Sequence, residues 1–126
     1  MRRVVVTGMG IACPLGVGVE YVWRRLINAD SGIGAIVSFD ASDSPCKVAG
    51  QVPDGTRATG GLAINEWIPV KDQKKMDRFI HLAMVAGSEA VEDSGWVPET
   101  EDDRCATGVM IGSGIGGLET IYQASI

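Results

Sequence analysis

The sequence predicts an α/β fold built in layers, and three observations carry that expectation. Two apolar runs, Arg3–Met9 and Cys105–Ile111, each lead into a glycine-rich turn, and each turn leads into a helical pattern. The strand–turn–helix unit therefore occurs twice. Between the two units, Asp72–Ser94 is the longest helical periodicity in the chain. Strands that alternate with helices pack in layers around a partly parallel sheet.

Each element follows from its residues. Val4, Val5 and Val6 are β-branched, and an unbroken apolar run predicts a strand covered on both faces. Pro14 bars a helix through the turn Gly8–Gly18. From Val19 to Ala29, Val19, Val22, Trp23, Leu26 and Ile27 form one stripe, with Glu20, Arg24 and Arg25 opposite. Ile33–Ser38 and Lys47–Val52 read as short extended pieces, and 53–61 as a surface loop rich in Gly, Pro and Thr. The helix Asp72–Ser94 has an acid in its first turn and Gly95 placed to stop it. Its middle is apolar nearly all round, and Ala83, Ala86, Gly87 and Ala90 keep one side slim, as in a central helix. Trp96–Arg104 reads as an acidic loop, Cys105–Ile111 as a second buried strand, and Gly112–Gly117 as the second glycine turn before a helix at Leu118–Ser125.

Composition narrows the function. At 126 residues the chain suits one domain, which typically has about 100–150 residues. Eleven basic against 16 acidic residues leave a net charge of −5, which excludes a general nucleic-acid surface. There are 17 glycines, where average usage near 7% predicts roughly nine. Cys13, Cys46 and Cys105 are odd in number and scattered, and His81 is the only histidine. That set argues against a structural zinc site and for reduced thiols in a cytoplasmic protein. The three cysteines read as packing residues and His81 as a helix residue. No nucleophile, base and orienter set emerges, and no stretch approaches the roughly 20 apolar residues of a membrane span.

Two features stay open on chemistry alone. Gly112-Ser113-Gly114-Ile115-Gly116-Gly117 satisfies GxGxxG between a strand and a helix, so it suits either a phosphate cradle or a tight structural turn. Cys13 breaks the same pattern in the first turn. Lys71, Lys74, Lys75 and Arg78 recur at three- and four-residue spacing, which on one helix would give them a common face. Cations at a helix N-terminus oppose the macrodipole, so stability does not explain them. They form either a solvated face or a docking site for an acidic partner.

Read together, six colinear motifs resemble the β-ketoacyl-[acyl-carrier-protein] synthases, the condensing enzymes of fatty-acid synthesis. They are RRVVVTGMGIACPLG at 2–16, SGI at 31–33, Phe39-Asp40, KKMDRF at 74–79, VAGSEAVEDSG at 85–95 and GVMIGSGIGG at 108–117. The resemblance weakens only at 51–68. Ile115 between its glycines looks like the second, elongating type. The resemblance implies a thiolase-like fold (layers α-β-α-β-α), with residues 1–126 forming part of its N-terminal half, and a homodimer.

The resemblance also implies decarboxylative condensation of malonyl-carrier protein with an acyl thioester, with no cofactor and no metal. The family's catalytic cysteine, histidines and lysine would lie beyond Ile126, so no catalytic residue is expected in this segment. Lys71, Lys74 and Lys75 fall where members of the family present cations to the acidic acyl carrier protein. Ile115 falls where elongating synthases place a gating side chain in the acyl pocket. A non-catalytic partner subunit of the same fold and an NAD(P)-dependent reductase are the alternatives.

Overall fold

In the computed structural model, which describes residues 2–126, the order of elements is strand pair, helix, strand pair, then helices. Strands β1 (Ala12–Cys13) and β2 (Gly16–Val17) pair antiparallel about Pro14-Leu15, with Ala12 opposite Val17. Helix α1 spans Val19–Ile27. Strands β3 (Ile33–Ala35) and β4 (Val48–Gly50) form a second antiparallel ladder, in the two stretches the sequence reading gave as extended. After a 3₁₀ turn at Arg57–Thr59 come α2 (Ile64–Trp67), α3 (Val70–Gln73), α4 (Arg78–Ser94), α5 (Glu101–Ala106) and α6 (Leu118–Ser125).

The core is small and centred on α4. Val85 is fully buried against Val17 and Leu62, with Ala12, Val52, Ile64, Trp67 and Leu82 packed around them. Val22 is buried on α1, but Trp23, Leu26 and Ile27 stay more than half exposed. The predicted stripe is covered only along the side that meets β2.

Gly8 and Gly10 are seated against the backbone of α4. A Cβ on Gly10 would lie 2.0 Å from the Ala86 carbonyl oxygen, and one on Gly8 2.2 Å from that of Ala90. The slim side expected of the long helix is thus where the first glycine turn rests. At the other end Gly95 takes φ 63 and closes the helix, as its position in the sequence implied.

Five expectations are corrected. The run Arg3–Met9 is not a buried strand: it joins no strand ladder among the described residues, and Val4 is 95% exposed. Of Cys105–Ile111, the first two residues end α5 and the rest is extended and unpaired, with Met110 98% exposed. An apolar strand needs a hydrogen-bonding neighbour and a cover for each face, and residues 2–126 supply neither to these two runs. The sheet is consequently not partly parallel; both ladders are antiparallel, and the parallel contact is a single bridge between Asp54 and Leu62. Cys46 and Cys105 are exposed, so the packing role expected of them is not met; Cys13 is half-buried in β1.

The acidic loop is the fifth correction, because its second half is a helix. Thr100 accepts from the Asp103 N–H at 3.1 Å while the Asp103 carboxylate accepts from the Thr100 N–H at 3.0 Å, a capping box. That Thr100 N–H holds the Asp103 carboxyl below its ordinary value of 3.8. A lowered folded value means that the box is complete above that range and is lost as pH falls through the folded value. Thr100→Ala is expected to weaken α5 by about 1 kcal/mol. Faster amide exchange at Asp103 and Arg104 would report it, and unchanged exchange would contradict it.

Candidate functional site

The predicted docking lysines lie on a short, braced segment. Lys71 is on α3, Lys74 is its C-terminal cap in right-handed helical conformation, and Lys75 follows; all three are exposed. Gln73 anchors the segment by donating from Nε2 to the Ile68 carbonyl at 2.7 Å and to Asn65 Oδ1 at 2.9 Å. His81 Nε2 donates to the Gln73 carbonyl at 3.1 Å, so the lone histidine braces this turn from α4. Lys75 Nζ sits 3.2 Å from Asp72, an exposed pair of small energetic weight.

One helix does not carry all four cations, which corrects the shared face expected from their spacing. Asp77 adopts φ −73 and ψ 161, an extended conformation that separates α3 from α4. Arg78 then points elsewhere, donating to the Val52 carbonyl at 3.1 Å and meeting Asp54 at 3.4 Å. An aspartate ahead of an apolar periodic run is the signature of a helix N-cap, so the true start was legible at Asp77 rather than Asp72.

Ile115 lies on the bend before α6 and is 79% exposed. It borders a cleft of about 210 Å³ together with Asp77, Phe79, Gly116 and Leu118. The Phe79 ring covers Gly116 so closely that a Cβ there would sit 2.5 Å from it. Asp77 leaves its own helix uncapped and reaches α6 instead: one carboxylate oxygen accepts from Thr120 Oγ1 at 2.5 Å, the other from the Thr120 N–H at 3.4 Å. The predicted gate therefore borders Asp77–Phe79, the residues that follow the lysine segment in the chain. Larger clefts of about 610 and 630 Å³ lie elsewhere and include none of these four residues.

Backbone N–H groups of the first glycine turn, and at the start of the helix after each turn, meet carboxylates. In the first turn Met9 donates to Asp93 at 2.9 Å, and Glu89 accepts from Ile11 at 2.9 Å and from Val19 at 2.7 Å, one N–H on each oxygen. In the second, Asp77 occupies the end of α6 where a nucleotide phosphate would have to bind. The affinity of such turns for anions is real, but the anions belong to the chain, which removes the basis of the reductase alternative. Glu89, Asp93, Asp77, Phe79 and Thr120 had no signal as partners, because each meets its target at long sequence separation.

A family model described as the β-ketoacyl synthase N-terminal domain matches residues 1–125. The 3-oxoacyl-[acyl-carrier-protein] synthase 2 of Rhizobium meliloti (strain 1021) is 45% identical over 124 residues, covering 98% of this chain and 30% of that protein. The protein of the same name from Vibrio harveyi is 44% identical over 120 residues, 95% of this chain and 27% of its own length. Among solved structures, the ishigamide ketosynthase/chain length factor superposes with a TM-score of 0.62 at 34% identity, covering 81% of this chain and 23% of that one. The chain thus spans under a third of the length of these relatives. With the family model matched from residue 1 to residue 125, the chain belongs to the β-ketoacyl synthase family, as its N-terminal domain, whose fold is thiolase-like.

Proposed function

We propose that these residues are the N-terminal portion of an elongating 3-oxoacyl-[acyl-carrier-protein] synthase, acting in the cytoplasm as a homodimer. The observation that carries this reading is the match to such a synthase over 98% of this chain, within which Ile115 borders a cleft at Asp77–Phe79, just after the lysine segment. The exposed runs at 4–6 and 109–111 are then surfaces on which the rest of the layered α-β-α-β-α fold packs. Lys71, Lys74 and Lys75 attract the acidic carrier protein, and Ile115 gates the acyl pocket.

The covalent chemistry falls to residues outside this segment. A cysteine thiolate takes the acyl group and releases the carrier thiol. Malonyl-carrier protein loses CO₂, and its carbanion attacks that thioester, forming a carbon–carbon bond and freeing the cysteine. No step needs a metal or a nucleotide.

The test is charge reversal of all three lysines to Glu in the complete enzyme. KM for carrier-bound substrates is expected to rise about tenfold at low salt and to lose its normal rise with ionic strength, while small thioester substrates are unaffected. An unchanged KM refutes the docking role. A second reading, a non-catalytic partner subunit, draws on the similar structure being a ketosynthase/chain length factor. Condensation by the pure complete chain alone excludes it.

A further inference from the structure

We infer that Asp77 is a positioning residue for the gate: it ties the turn that carries Ile115 to the segment that carries the lysines. The inference rests on the gate and docking readings above and extends them to how the two are connected. Lys74 and Lys75 lie three and two residues before Asp77, and their backbone runs directly into it. The Asp77 carboxylate grips α6 at Thr120 through both the hydroxyl and the N–H. Two residues further on, the Phe79 ring packs closely on Gly116, the neighbour of Ile115. Ile115 therefore sits on a turn held at Gly116 and Thr120 by residues of a single strand of chain, 77–79.

The arrangement has the chemistry of a cap supplied from a distance. Thr120 is the third residue of α6, and its N–H is one of the first-turn donors that no helical carbonyl satisfies. A carboxylate there is also favoured by the positive end of the helix. Gly117, in left-handed conformation at φ 70, has no side chain to provide that cap itself. Asp77 supplies it, so a displacement of the lysine segment on docking is transmitted to the turn that carries the gate.

The experiment uses Thr120→Val, Thr120→Ser and Asp77→Ala in the complete enzyme, read by hydrogen exchange over residues 112–120 and by the ratio of kcat/KM for long and short acyl primers. Thr120→Val and Asp77→Ala are expected to speed exchange in that segment about tenfold and to shift the primer ratio, since each removes a hydrogen bond to a charged group. Thr120→Ser keeps the hydroxyl and is expected to restore both. Unaltered exchange in Thr120→Val and Asp77→Ala overturns the inference, as does a Ser variant no better than Val. Ile115→Phe, run alongside, separates the two levels. If it leaves the primer profile unchanged while Asp77→Ala loosens the turn, the gate reading falls and the tie stands.

Discussion

Gly10→Ala is expected to lower the stability of the complete enzyme by about 3 kcal/mol or more, the upper end of what overpacking costs. The added methyl carbon would stand 2.0 Å from the Ala86 carbonyl oxygen and 2.8 Å from the Ala90 nitrogen. Both are backbone atoms of α4, so no rotamer change can clear them. The turn must lift, and lifting it stretches the bonds from Ile11 and Val19 to Glu89, each a hydrogen bond to a charged group worth about 1.5–3 kcal/mol. Gly34→Ala is the control, because nothing lies within 4 Å of its added carbon. Its effect is expected to stay within about 0.5 kcal/mol, as at ordinary surface positions. Denaturation midpoints compare the two, and equal midpoints would show that Gly10 is not a close approach.

Ile115→Phe is expected to shorten the longest acyl primer accepted, with kcat/KM for that primer falling about 10- to 100-fold. The range converts the 1–3 kcal/mol of forced overpacking at about 1.4 kcal/mol per decade. Ile115 borders a cleft of about 210 Å³ whose wall at Gly116 is already filled by Phe79, so the larger ring adds bulk at the edge of the proposed acyl pocket. Short primers, which stop before the gate, are expected to react within about twofold of normal, while Ile115→Ala should move the profile toward longer chains. A chain-length profile that none of these variants changes would contradict the gating role.

What the sequence revealed was local. The helix from Val19, the helix from Leu118, the stop at Gly95 and the extended pieces of the β3–β4 ladder all depend on neighbours a few residues apart, and all formed as expected. The runs 3–9 and 105–111 did not form strands, because a strand exists only through partners that may come from anywhere in a chain, and periodicity cannot name them. Helix α5 was missed for the opposite reason. Six residues are too few to show a period, although Thr100 and Asp103 spell out its cap. The start of α4 was misplaced by reading charge spacing ahead of the Asp77 cap. At the site, Ile115 is marked by resemblance alone, whereas Lys71, Lys74 and Lys75 stand out by their spacing and the resemblance then gives them a partner. Sequence leaves the second glycine turn open between a phosphate cradle and a tight turn, and Glu89, which holds the first, is 70 residues from Val19, so nothing short-range could mark it as a partner.

That separation has a consequence for the order in which the molecule is made. The first glycine turn leaves the ribosome early, yet the carboxylates that hold it, on Glu89 and Asp93, are synthesised some 70 to 84 residues later. At about 5–20 residues per second the opening segment waits roughly 4–17 s, its amides bonded only to water. The first glycine turn therefore settles only after α4 has been made. A chaperone that recognises exposed valines would find Val4–Val6 available throughout that interval, which makes this stretch the expected place for early misfolding to begin.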